Sequence, residues 1–188
     1  MDNGYVSMGS AAKGLNYMFW GFVLVLFDFN LNGALITIDI IPDIIGWAMI
    51  LYSLKYLEDF GLNKPLHRNL IIVMMVFSCI GMIRMEVSAF SMMLSFVSMI
   101  FSIIVYYELY TAAAKVATYM GNHTRARSIK SSLNAFVAIY AVTALFGGGL
   151  AIPVISLPLV IAFLVLSIVM LVHLYSVKSE AQAYSDGQ

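Results

Sequence analysis

Three aspartates stand where a strongly apolar chain has little use for charge. Asp28, Asp39 and Asp43 lie at the ends of two apolar segments, around the run Ile38-Asp39-Ile40-Ile41-Pro42-Asp43-Ile44-Ile45-Gly46. A carboxylate at membrane depth is costly, so it is held there by a partner, a water-filled cavity or a function. Carboxylates are hard oxygen ligands that suit Ca²⁺, Mg²⁺ or Mn²⁺. They also hold protons and cationic solutes. No ligand loop of known spacing accompanies these three, so the sequence leaves the metal question open. Asp43 follows Pro42 directly and falls in the first turn of a helix. The helix dipole favours a carboxylate there by about 0.3–1 kcal/mol, which by itself accounts for Asp43. Asp39 has no such local reason, and if the helix begins early it shares a face with Asp43, four residues on.

Arg84 and Glu86 close a third apolar segment on the same expected side. Arg84 is expected to pair with Asp39 or Asp28 in an outer mouth, the alternative being a local contact with Glu86. The candidate ligand-binding set is therefore Asp28, Asp39, Asp43, Arg84 and Glu86, with a surplus of negative charge.

The elements that carry this set are apolar throughout. The chain has 188 residues, is 62% hydrophobic and 11% charged, and its mean hydropathy is +0.92. Soluble domains run near 45–50% apolar and about 25% charged. A bilayer-crossing helix needs roughly 20 apolar residues, so six use about 120 and leave only short connections. Six segments are marked, at about 15–31, 42–60, 69–86, 89–120, 131–147 and 158–177. Their runs are continuous rather than alternating, which favours helices over a barrel. The expected fold is all-α: one integral membrane domain over 1–188, a polytopic bundle of about six transmembrane helices.

Nine of the ten Lys and Arg fall on one side of these spans, and only Arg84 falls on the other. By the positive-inside rule both termini are cytoplasmic. The first sixteen residues carry one lysine, Lys13, and no Ala-x-Ala site follows the first apolar run, so that span is expected to be retained. From Ala89 to Glu108 is roughly 28 Å of helix, which places Glu108 at the inner interface beside Tyr106, Tyr107 and Tyr110. Gly121-Asn122 is expected to stop that helix. The basic stretch His123 to Lys130 reads as a cytoplasmic turn facing anionic headgroups.

Gly33–Pro42 and Gly149–Pro158 echo one another, each a glycine followed nine positions later by a proline that opens a span. Each stretch is expected to be partly extended and tucked against the outer mouth. Cys79 is the single cysteine and reads as a small buried apolar residue, which excludes an intramolecular disulfide and a cysteine metal site. The thirteen methionines read as core filling. No zincin, nucleophile-elbow or Walker motif is present. The histidines, His67, His123 and His173, are expected at the cytoplasmic side, away from the aspartates. Enzymatic activity is therefore not indicated, and no cofactor is expected. Zero net charge argues against a nucleic-acid partner. The expected partners are the lipid bilayer and a membrane or cytoplasmic protein.

The block Asp28-Phe29-Asn30 … Ile38-Asp39-Ile40-Ile41-Pro42-Asp43-Ile44-Ile45-Gly46 resembles one shared by a group of uncharacterised small multi-pass membrane proteins of Gram-positive bacteria. The resemblance covers roughly the first third of the chain. It implies a multi-pass protein of the bacterial plasma membrane and carries no assigned activity. Two functions are expected: a small-solute or cation binding or transport component with an acidic outer-face site, or a non-catalytic structural or regulatory membrane subunit acting through a partner. Six spans in so short a chain are similar in size to the substrate-binding subunits of energy-coupling-factor importers. The alanine motif by which those subunits meet their partner is not visible in Leu15–Leu31.

Overall fold

The computed structural model describes residues 7–26, 31–33, 36–38, 41–81, 89–147 and 153–187. Within them the fold is all-α, with six helices and one small pair of strands. Helix α1 spans Met8–Leu26, and Ser7 caps it by accepting the Ser10 N–H on its Oγ at 3.3 Å. Strands β1 (Leu31–Gly33) and β2 (Ile36–Ile38) pair antiparallel, with Leu31 opposite Ile38 and Asn32 opposite Thr37. Helix α2 spans Ile41–Ser53, with Pro42 and Asp43 in its first turn. Proline belongs there because its missing N–H has no partner in a first turn.

Helix α2 does not run to residue 60 as hydropathy suggests. It stops at Ser53, and two 3₁₀ turns follow, Leu54–Tyr56 and Glu58–Phe60. Leu54, Leu57 and Phe60 are all buried. Their spacing of three matches the 3₁₀ repeat rather than the α repeat. Gly61 and Asn63 then take positive φ and redirect the chain. Helix α3 (Pro65–Gly81) opens on a proline. Helix α4 (Ala89–Tyr119) is ended by Gly121 at φ 79°, where the Asn122 N–H reaches Ala117 O and the Gly121 N–H reaches Thr118 O. This double bond pattern satisfies carbonyls that a helix end leaves open.

Helix α5 (His123–Gly147) begins eight residues before its expected start at 131. The His123–Lys130 stretch is thus helical rather than a turn. The reason is an apolar stripe, Ala126, Ile129, Leu133 and Phe136, all buried at helical spacing. Helix α6 runs from Pro153 to Asp186, so Pro153 opens it and Pro158 lies inside it. This corrects the second half of the glycine–proline echo, whose residues 149–152 lie outside the described set.

Consecutive helices pack on one another, and α6 returns to α1, closing a ring. The N-terminal end of α1 meets the C-terminal end of α6, where a Cβ on Gly9 would lie 3.0 Å from Ser185 Oγ. Burial is uneven along the bundle. Val105 to Ala117 of α4, Ala126 to Phe136 of α5 and Met170 to Ala181 of α6 supply most of the core from those helices. Above them, large apolar side chains point outward at helical spacing: Met93, Phe96, Ile100 and Ile104 on α4, and Ile161, Val165 and Ile168 on α6. Cys79 is exposed, not buried. It follows Ile72 and Val76 on the outward face of α3, where apolar residues need no core. Among the described residues two stretches are long and apolar enough to cross a membrane, Phe96–Tyr119 and Ile161–Asp186, and Pro65–Ile80 is apolar but shorter.

Candidate functional site

Asp28, Asp39, Arg84 and Glu86 lie outside the described residues. Asp43 is the one member of the expected set that is placed. It sits in the first turn of α2, half-buried, with Oδ1 shielded from solvent. Three residues on, Gly46 brings α2 against Gly21 of α1. The close approach of these two helices fixes where the Asp43 turn stands.

Tyr106 belongs to an aromatic cluster that joins four helices. Its ring stacks on Phe22 of α1 at 4.9 Å and meets Phe136 of α5 at 5.1 Å. Phe136 in turn meets Phe163 of α6 at 5.3 Å. A small cavity of about 10 Å³ is lined by Phe22, Tyr106, Tyr110, Phe136 and Ser167, among others. Stacked rings of this kind contribute about 0.5–1.5 kcal/mol per pair beyond their burial and hold the interior stiff. A half-buried carboxylate and exposed ring faces are each groups that attract a cation. Among the described residues no group of three or more His, Cys, Asp or Glu is placed to hold a metal ion.

The other end of the bundle carries polar pairs that sequence reasoning missed. His67 Nε2 lies 3.4 Å from Glu108 Oε2, with the histidine side chain 8% exposed and the carboxylate 44%. Leu70, Ile71, Val105 and Leu109 surround them. The His67 Nδ1 is buried without a hydrogen-bond partner among the described residues. His67 and Glu108 had both been expected near the inner face, and their opposite character was the available clue to a pairing. His173 Nε2 lies 3.1 Å from Ser132 Oγ and 3.5 Å from Ser128 Oγ, which stand four apart on α5. Glu180 of α6 accepts from Asn122 Nδ2 at 3.0 Å and from Arg125 Nη2 at 2.9 Å. Asn122 also caps α5 by accepting the Arg125 N–H at 3.0 Å.

Compared with known proteins, the chain matches no family model, no curated sequence and no solved structure.

Proposed function

We propose that this chain is a six-span protein of the bacterial plasma membrane, with both termini cytoplasmic, that binds a small cationic solute or cation at an acidic outer mouth. The observation that carries the reading is Asp43. It is a carboxylate in the first turn of a helix, half-buried, with one oxygen shielded from solvent. The helix dipole explains a carboxylate at that position, and an ionisable group within a membrane bundle is by default also a candidate for a functional site. The outward apolar faces of α3, α4 and α6 support the membrane reading, since water-soluble surfaces rarely carry such continuous apolar area. Asp28 and Asp39 complete the site in this proposal, with Arg84 and Glu86 at its rim.

The test is ligand-dependent thermal unfolding in detergent, with wild type beside Asp43→Asn and Asp39→Asn. The panel holds divalent cations, polyamines, vitamins and a pH series. A ligand at a hundred times its dissociation constant stabilises by about 2.7 kcal/mol. Stabilisation of wild type that disappears in Asp43→Asn, with the variant folded, is the expected result. No stabilisation by any member, together with an Asp43→Asn chain that is itself unstable, overturns the binding reading in favour of a structural subunit.

A further inference from the structure

We propose that the groove between the N-terminal end of α1 and the C-terminal end of α6 is a binding site for an anionic phospholipid, with its phosphate in the groove and an acyl chain along α6. The groove holds about 370 Å³. Lys13 and Asn16 line it from α1, and Lys178, Gln182, Ser185 and Asp186 line it from α6. Its base is tight because small residues meet there: Gly9 approaches Ser185, and Ala12 and Ala181 are buried.

The donor set suits a phosphodiester. Two ammonium groups supply charge, and two amides and a hydroxyl supply hydrogen-bond donors from both helices. With the Asp186 carboxylate counted among the lining groups, the two ammonium groups leave a net single positive charge, which matches a monoanionic headgroup. Lys178 is held in place over the Tyr175 ring, with Nζ 4.9 Å from its centroid.

What lies above the groove selects a lipid over a free phosphate. Tyr175, Val172, Ile168, Val165 and Ile161 form an exposed ridge at spacings of three and four. The ridge turns into Lys178 and then Gln182 within two further turns of the same helix. From Tyr175 to Ile161 is about 21 Å of helix, enough to accompany an acyl chain through its own leaflet. Tyr175 also meets Phe19 of α1 at 5.6 Å, so the ridge begins at the mouth of the groove. The inference rests on the membrane reading above and is independent of Asp43.

The experiment is retention of added lipid by the detergent-purified chain, read by native mass spectrometry. Phosphatidylglycerol is compared with phosphatidylcholine of the same acyl chains, and glycerol phosphate is included as a headgroup without tails. Wild type is expected to prefer phosphatidylglycerol. Lys13→Gln with Lys178→Gln should lower that preference by about thirtyfold, and the Lys→Arg pair should keep most of it. Equal retention of the two lipids by wild type overturns the site, and this comparison needs no variant to fold. Retention unchanged in the glutamine pair overturns it as well. Glycerol phosphate binding as tightly as the lipid overturns the lipid as occupant. A chain that stays soluble without detergent overturns the membrane reading itself, which separates that failure from a failure of the groove alone.

Discussion

Gly21 of α1 and Gly46 of α2 meet backbone to backbone. A Cβ on Gly21 would lie 2.7 Å from the Gly46 carbonyl oxygen, and a Cβ on Gly46 would lie 2.7 Å from that of Gly21. The contact extends along α1, where a Cβ on Gly14 would lie 2.9 Å from Tyr56 Cβ. Glycine at both positions lets the two backbones approach this closely, because no side chain stands between them. Gly46 also ends the Asp39-Ile40-Ile41-Pro42-Asp43-Ile44-Ile45-Gly46 block. The block therefore joins a helix start, a carboxylate and a contact surface within one turn and a half.

Gly46→Ala is expected to destabilise the protein by about 1–3 kcal/mol, because the methyl meets a backbone oxygen that cannot move aside. Gly46→Leu should cost more and shift the Asp43 turn with it. Thermal unfolding in detergent measures the first effect. An alanine variant within about 0.5 kcal/mol of wild type would show that the two helices are free to separate.

His67 and Glu108 should respond unequally to substitution. Glu108→Ala leaves His67 Nε2 buried without its acceptor and is expected to cost about 1–3 kcal/mol. His67→Leu leaves only a carboxylate that water already reaches, and it places an apolar side chain among Leu70, Ile71, Val105 and Leu109. Its cost should stay below about 1 kcal/mol. Chemical unfolding of both variants checks the order, and a reversed order would mean that the histidine does not depend on this carboxylate.

At the end of α4, Glu180 bonds both Asn122 and Arg125, and Asn122 caps α5. Asn122→Ala and Glu180→Ala are each expected to cost about 1 kcal/mol. Because they share one network, the double variant should lose clearly less than the sum. Strict additivity in a double-mutant cycle would separate the cap from the ion pair.

Much of this architecture is legible in the residues, and the exceptions have physical causes. Six apolar runs mark six helices, and Pro42, Gly121 and Asn122 announce ends that the structure contains. Hydropathy alone misreads Leu54 to Phe60, because buried 3₁₀ turns are as apolar as helix, and only the spacing of three betrays them. It misreads His123 to Lys130 for the opposite reason. Six polar or basic residues there hide the two apolar ones, Ala126 and Ile129, that pack inward. Of the acidic site, the helix-start role of Asp43 follows from Pro42, whereas the approach of Gly46 to Gly21 could not. That approach depends on how α1 and α2 pack, and no local pattern encodes it. The pairing of His67 with Glu108 is hidden for the same reason, with forty residues of chain between them.

The closure of α6 on α1 also sets an order in time. On a chain growing from its N-terminus, α1 acquires α2 as a neighbour almost at once, but its Ala11–Ala12 flank waits for a helix that begins at Pro153. At usual rates of synthesis that interval is on the order of 10 s. For that period the flank is uncovered and open to chaperones and to proteases. A chain truncated within α6 is left in that state permanently, with five helices and no ring.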